Sequence, residues 1–225
     1  DNHALFSAQP AVAADGTLTF TAAANANGSA TVTVTLHDGG GTANGGVETS
    51  AEQTFTITVS PVNDAPTVAS SIADVTVDED AAPVTVDLRN VFADVDIATN
   101  ADVLTLSVPG NSNASLVTPT LNGNSLTLTF APNRNGSATI TVRATDTAEA
   151  YFEDTFVVTV TPVNDSPITL GQTVTVTEDG MVAIELHGSD VETAEADLTF
   201  TITSLPAEGS LKHGEVEVAV GDTFS

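Results

Sequence analysis

Two near-identical hexapeptides divide the chain: Pro-Val-Asn-Asp-Ala-Pro at residues 61–66 and Pro-Val-Asn-Asp-Ser-Pro at residues 162–167. Each follows a segment in which threonine alternates with apolar residues, residues 53–59 before the first copy and residues 154–160 before the second. Recurrence at a fixed period is the signature of tandem structural units. The sequence therefore predicts domains arranged in a row, with a short proline-bounded linker between consecutive domains.

The similarity between units extends beyond the linkers. Residues 16–34 resemble residues 126–142, and residues 173–200 resemble residues 73–106. We interpret residues 1–62 as the C-terminal half of a repeat, residues 63–163 as a complete repeat, and residues 164–225 as the N-terminal half of a further repeat. We expect the rest of both incomplete repeats, and any export signal, to lie outside these 225 residues.

The complete repeat has the pattern of an all-β domain. Apolar residues alternate with threonine, which suits half-buried strands, and no window has helical periodicity. Turn sequences such as Asn-Gly-Asn at residues 122–124 separate the alternating segments. Seven short strands in about 100 residues predict an immunoglobulin-like β-sandwich. The strands are expected near residues 72–78, 83–92, 103–108, 115–121, 125–130, 137–145 and 154–162.

The charge balance limits what the chain can bind. It has 30 Asp and Glu against 4 Lys and Arg, a formal net charge of −26. That argues against nucleic acid and anionic membranes, which both need a basic surface, and it suits cations. No apolar run of about 18 residues is present to span a bilayer. Cysteine is absent, so a metal ion is the expected substitute for disulfides in a secreted protein.

Strand direction predicts where the acidic residues lie. If direction reverses at every turn, an odd number of strands brings the chain in at one end of the sandwich and out at the other. Loops then gather acidic and amide side chains around each linker. At the first junction, between residues 1–62 and the complete repeat, these are Asn63, Asp64, Asp94, Asp96 and Asp146. At the second junction they are Asn164, Asp165, Asp190, Glu192, Glu79 and Asp80.

Such clusters of oxygen ligands favour Ca²⁺. Grouped carboxylates repel one another unless a cation lies among them, and Ca²⁺ accepts 6 to 8 oxygens in flexible geometry. Mg²⁺ requires a tighter octahedron, and the lack of Cys disfavours zinc or copper. Taken singly, each motif is also good turn chemistry, because Asn-Asp before Pro and Asp-x-Asp are common in loops. Their repetition in matching positions favours the metal interpretation.

Four of these motifs resemble the calcium-binding signatures of cadherin repeats, and more closely those of cadherin-like tandem repeats in giant bacterial surface proteins of the repeat-in-toxin adhesin type. They are Val-Asp-Glu-Asp-Ala at 77–81, Ala-Asp-Val-Asp at 93–96, Ala-Thr-Asp at 144–146 and Val-Asn-Asp-Ser-Pro at 163–167. The resemblance implies that the acidic and amide residues of both junctions coordinate interdomain Ca²⁺. Two departures imply fewer or altered ions: Asn133-Arg134-Asn135 replaces an acidic stretch, and Glu192 replaces an Asp.

These observations predict a Ca²⁺-rigidified spacer of a large bacterial cell-surface adhesin or extracellular fibre, located outside the cell. Its partners would be neighbouring repeats and other copies of the fibre. One alternative is a carbohydrate- or protein-binding module that uses the Gly-rich hairpin at residues 39–52, although aromatic residues are only 4% of the chain. Another is a self-assembling fibre subunit joined by strand complementation. No nucleophile has a plausible base beside it, so no enzyme is expected.

Overall fold

A computed structural model describes all of residues 1–225. The first unit, residues 1–60, contains two antiparallel pairs, β1 with β2 and β3 with β4. Leu5, Phe6, Ala30 and Ile57 form its small core. Its elements are a 3₁₀ turn at His3–Leu5, β1 (Phe6–Val12), β2 (Leu18–Ala22), β3 (Gly28–Val34), a 3₁₀ turn at Ala43–Gly45 and β4 (Gln53–Val59).

The complete repeat is a two-layer β-sandwich. Its elements are β5 (Thr67–Val68), β6 (Val75–Asp78), β7 (Val84–Asp87), β8 (Phe92–Ala93), α1 (Asp96–Thr99), β9 (Thr105–Asn111), β10 (Val117–Asn122), β11 (Ser125–Phe130), β12 (Gly136–Thr145) and β13 (Tyr151–Thr161). One sheet has the order β6-β13-β12-β9 and the other β10-β11-β7, while β5 pairs with β8. The prediction of an all-β immunoglobulin-like sandwich is confirmed.

Every second side chain along each strand points into the space between the two sheets. On β11, Leu126, Leu128 and Phe130 point inward, and on β12 so do Ile140, Val142 and Ala144, with threonines between them on the outer faces. These residues belong to one continuous buried cluster. At roughly 25 cal/mol per Å² of apolar area, such burial is the main stabilising contribution to the repeat.

Strand directions follow the predicted reversal at every turn. β13 runs parallel to β6 and antiparallel to β12, and β12 is antiparallel to β9. In the other sheet β11 is antiparallel to both β7 and β10. Because β6 and β13 run in the same direction, the chain enters the sandwich at one end and leaves it at the opposite end.

Two parts of the sequence prediction are wrong in detail. The single strand expected over residues 83–92 is broken, because the Asp87 carboxylate accepts the Arg89 amide at 3.0 Å and turns the chain. The chain resumes as β8, which pairs with β5 rather than continuing β7. The four residues of α1 were also unexpected, since one helical turn is too short to give a periodic signal.

The third unit, residues 168–225, is largely exposed. β14 pairs with β15 as β5 pairs with β8 in the complete repeat. β16 pairs with β19, and β17 with β18. No helix in the structure has the length and apolar character needed to cross a membrane. The elements are β14 (Ile168–Thr169), β15 (Gly188–Ser189), a 3₁₀ turn at Glu195–Asp197, β16 (Phe200–Thr201), β17 (Lys212–His213), β18 (Val216–Glu217) and β19 (Thr223–Phe224).

Candidate metal centre

The first linker is tied to two loops of the complete repeat. The Asp64 backbone amide donates to Asp96 Oδ2 at 2.8 Å. The Asn63 side-chain amide donates to Asp146 Oδ2 at 2.8 Å and to the Asp64 carbonyl at 2.9 Å. The loop after β8 and the loop after β12 therefore meet at this linker, as strand direction predicts.

Three carboxylates converge beside this linker. Asp94 follows β8, Asp102 follows α1 and Asp146 follows β12, and one oxygen from each lies within 4.8 Å of the other two. Asp102 and Asp146 are buried and Asp94 is half-buried. All three come from the complete repeat, so the first unit contributes no carboxylate to the cluster.

Asp102 was absent from the sequence-predicted set. It is brought into the cluster because α1 reverses the chain: the Asp102 amide donates to the Asp96 carbonyl at 3.2 Å. Ala101 makes the turn at a positive φ of 57°, a conformation rare for a residue with a Cβ. Thr147 holds the side chain by donating its amide and its hydroxyl to Asp102 Oδ1. The one sequence signal for this role is that an aspartate recurs at the matching position of the third unit, Asp197.

Asp96 lies in the same place but is already hydrogen-bonded through both oxygens. Oδ1 accepts from the Thr99 hydroxyl and the Asn100 side-chain amide, and Oδ2 accepts from the Asp64 amide. Its side chain is 4% exposed. In this arrangement Asp96 fixes the linker, while Asp94 and Asp102 each keep an oxygen, Oδ2, that is buried and has no hydrogen-bond partner.

The three carboxylates of the cluster have no positively charged side chain paired with them. No salt bridge in the structure involves Asp94, Asp102 or Asp146. Burial raises the pKa of Asp94, and repulsion by the carboxylates of Asp102, Asp96 and Asp146 adds to the increase. The hydrogen bond from the Asp96 amide acts in the opposite direction but does not cancel the increase. The Thr147 hydroxyl holds the pKa of Asp102 below its ordinary value. Like charges 4 Å apart repel by about 4 kcal/mol at an effective dielectric constant of 20. Buried, unpartnered carboxylate oxygens without a basic neighbour fit a hard divalent cation.

The second linker repeats the bonding of the first. The Asp165 amide donates to Glu192 Oε2 at 3.1 Å, as Asp64 does to Asp96, and the Asn164 side chain donates to the Asp165 carbonyl at 2.7 Å. Asp190 accepts the Glu192 amide at 3.1 Å, as Asp94 accepts the Asp96 amide at 2.8 Å. Glu192 thus reaches the linker with its longer side chain, although it is exposed.

Glu79 and Asp80, at the far end of β6, have different surroundings. Glu79 is 4% exposed; its Oε1 accepts the Val163 amide at 2.6 Å, and its Oε2 is buried without a partner, as is Asp165 Oδ2. Asp80 instead accepts the Asn133 amide at 2.9 Å and is exposed. Glu79 therefore lies at the second linker, whereas Asp80 closes the neighbouring loop.

The hairpin at residues 39–52 forms an exposed extension between β3 and β4. A bridge between His37 and Thr49 closes its base, and Asp38 accepts the Gly40 amide at 2.9 Å. Asp146 makes the same type of turn with the Ala148 amide at 2.9 Å. Asp38 is thus the structural counterpart of Asp146 in the first unit, with a longer loop after it. The binding role considered for this hairpin stays a prediction.

One family match agrees with the fold of the complete repeat. Residues 63–161 match a family model described as a bacterial Ig domain. The solved structure of protocadherin gamma B7 extracellular cadherin domains 1–4 is 18% identical, with a TM-score of 0.47, over 98% of this chain and 57% of that one. Protocadherin gamma B2 domains 1–5 are 17% identical, with a TM-score of 0.47, over 96% of this chain and 43% of that one.

An endo-fucoidan hydrolase of glycoside hydrolase family 107 is 19% identical, with a TM-score of 0.33, over 65% of this chain and 20% of that one. No curated protein matches the chain. The chain thus spans 57% or less of each of these three solved structures. Residues 63–161 thus fold as an immunoglobulin-like β-sandwich and are similar to the family described as a bacterial Ig domain.

Proposed function

We propose that this chain is a Ca²⁺-stiffened spacer within a large bacterial cell-surface adhesin or extracellular fibre. The observation that carries the proposal is the cluster of Asp94, Asp102 and Asp146, whose oxygens lie within 4.8 Å of one another. Two of these side chains have a buried oxygen with no hydrogen-bond partner. A divalent cation is the ligand that would offset both the repulsion and the unmet hydrogen-bonding capacity.

At the first junction Asp94, Asp102 and Asp146 would hold the ion, and the linker would add the amide oxygen of Asn63. The ion would supply the positive charge that the surrounding side chains lack. Because Asn63 is bonded to Asp146 and Asp64 to Asp96, fixing these loops would also fix the linker. The remaining predicted ligands, Asp64 and Asp96, would support the site through these hydrogen bonds or join it directly.

At the second junction Glu79, Asn164, Asp165, Asp190 and Glu192 remain the proposed ligands, with Asp80 at the periphery. Glu79 and Asp165 each have a buried oxygen without a partner, and Glu79 contacts the linker through the Val163 amide. Glu79 belongs to the complete repeat and Asp190 to the third unit. An ion shared between them would fix the angle between the two units, which a spacer requires.

The proposal is tested by melting the full 225-residue chain in Ca²⁺ and in excess chelator, with Mg²⁺ as the comparison ion. A ligand that binds only the folded state at 100 times its Kd adds about 2.7 kcal/mol, so the Tm should rise by roughly 5–11 °C in Ca²⁺ for a chain of this length. Mg²⁺ should have a smaller effect because it keeps its waters. Identical melting curves in Ca²⁺ and chelator would contradict the proposal.

A further inference from the structure

One hydrogen bond joins the first unit directly to the complete repeat. The side-chain amide of Asn27 donates from Nδ2 to Asn100 Oδ1 at 2.8 Å. Every other hydrogen bond at this junction runs through linker residues Asn63 and Asp64. Asn27 is half-buried and lies immediately before β3. It therefore approaches the complete repeat from the edge of the first unit that faces the junction.

Asn100 is held in place to receive this bond. Its backbone amide donates to the Asp96 carbonyl at 2.8 Å, and its Nδ2 donates to Asp96 Oδ1 at 2.6 Å. Because the Nδ2 group is engaged, the Oδ1 atom is the one left to face Asn27. The other Asp96 oxygen accepts the Asp64 amide, so the bonds run without a break from Asn27 to the linker.

The second junction has no such contact. No hydrogen bond in the structure directly joins residues 67–161 to residues 168–225. Asn135 is the counterpart of Asn27 in the complete repeat, and it is exposed with no hydrogen-bond partner. The loop at residues 190–197 contains no asparagine to match Asn100.

We propose that Asn27 and Asn100 form an ion-independent clamp that docks the first unit against the complete repeat, and that the second junction lacks one. Both amides are neutral, so neither chelation nor screening by salt removes the bond, unlike a contact mediated by an ion. The clamp does not rest on the proposed Ca²⁺ role, although Asp96, which orients Asn100, also belongs to the predicted metal site. A net hydrogen bond of ordinary strength multiplies the docked population by roughly 2- to 13-fold.

The test is a distance measurement between paired spin labels in excess chelator. The chain has no cysteine, so labels can be placed at exposed positions, Thr33→Cys with Thr118→Cys across the first junction and Thr118→Cys with Thr201→Cys across the second. The first pair should give one narrow distance distribution and the second a broad one. Asn27→Ala should broaden the first distribution, whereas Asn135→Ala, the matched control, should leave it unchanged.

A second variant separates the hydrogen bond from packing. Asn27→Asp keeps the size of the side chain but removes the donor, so it should also lose the narrow distribution in chelator. A first-junction distribution as broad as the second in the unsubstituted chain would overturn the clamp. So would a narrow distribution that persists in both Asn27 variants. Because no ion is present, these outcomes are independent of whether Ca²⁺ raises the Tm.

Discussion

The two junctions have the same linker bonding but different surroundings. At both, an asparagine side chain bonds the following aspartate carbonyl, and that aspartate's amide bonds an acidic side chain from the next unit. At the first junction the acidic partner, Asp96, is buried, and three other aspartates converge beside it. At the second junction its counterpart, Glu192, is exposed, and so is Asp197, the counterpart of Asp102.

This difference shows what each part of the repeat contributes. The linker bonding needs only a short loop and tolerates Glu in place of Asp, because it uses one carboxylate oxygen. The three-aspartate cluster needs more: α1 must place Asp102, and the end of β12 must bring Asp146. The cluster therefore depends on two loops that are far apart in the chain, whereas the linker bonding depends on one.

The largest expected effect comes from Asp102→Asn. The substitution removes one charge from the cluster but keeps an acceptor for Thr147, so the calcium-dependent gain in stability, about 2–3 kcal/mol, should be mostly lost. Asp197→Asn is the matched control at the second junction and should retain the gain. Thermal melts of both variants in Ca²⁺ and in chelator measure this. Equal calcium responses in the two variants would remove Asp102 from the site.

Glu79→Gln should change stability in opposite directions with and without Ca²⁺. The glutamine keeps an acceptor for the Val163 amide but removes a buried charge that has an unpartnered oxygen. In chelator, stability should rise by about 1–3 kcal/mol, and in Ca²⁺ it should fall by a similar amount. Glu178→Gln, at the exposed counterpart in the third unit, should leave stability unchanged both in chelator and in Ca²⁺. Denaturant melts provide the comparison, and a shift of the same sign in both conditions would exclude an ion at Glu79.

The pKa of Asp94 should lie above the ordinary value of 3.8, and the pKa of its counterpart Asp190 should lie below it. Burial and repulsion by Asp102 raise the pKa of Asp94. Burial also raises the pKa of Asp190, but hydrogen bonds from Thr193 and Glu192 outweigh it and the net shift is downward. Carboxyl ¹³C NMR titrations in chelator would measure both values. Two values on the same side of 3.8 would show that the junctions have similar electrostatics.

The two shifts have opposite consequences for stability in the ion-free protein. The folded state binds a proton at Asp94 more readily than the unfolded chain does. The contribution of Asp94 to the free energy of unfolding therefore increases as the pH falls through its raised pKa. The contribution of Asp190 is present above 3.8 and is lost as the pH falls through its lowered pKa. Asp94→Asn and Asp190→Asn should each remove one of these two pH dependences.

The smallest effect is expected from Glu192→Asp, which restores the Asp-x-Asp motif at the second junction. The aspartate should still accept the Asp165 amide, as Asp96 accepts the Asp64 amide, so stability should change by less than about 1 kcal/mol because the site is exposed. Hydrogen exchange of the Asp165 amide should stay the same, whereas Glu192→Ala, which removes the acceptor, should accelerate it. Faster exchange at Asp165 in Glu192→Asp would show that the bond needs the longer side chain.

Periodicity and strand direction predicted much of this arrangement. Threonine alternation located most strands, and the reversal at each turn placed Asp94 beside Asp146 and Glu79 beside the second linker. The interruption of the strand at Asp87 was missed because it depends on a side-chain hydrogen bond to the Arg89 amide. Such local bonds compete with pairing without changing the apolar pattern.

Two features of the first junction could not be predicted from the pattern. The place of Asp102 depends on one helical turn followed by Ala101 at positive φ, and neither leaves a periodic signal in the sequence. The contact between Asn27 and Asn100 joins residues from different units, so it depends on how the units pack. Alternation within a strand carries no information about either feature.

A crystal structure of the chain grown with Ca²⁺, with anomalous diffraction measured, tests the central claim most directly. An anomalous peak should lie between Asp94, Asp102 and Asp146, with oxygen ligands at about 2.3–2.6 Å. Water in that position, with the three carboxylates unchanged and the calcium signal absent, would contradict the claim that an ion organises the first junction.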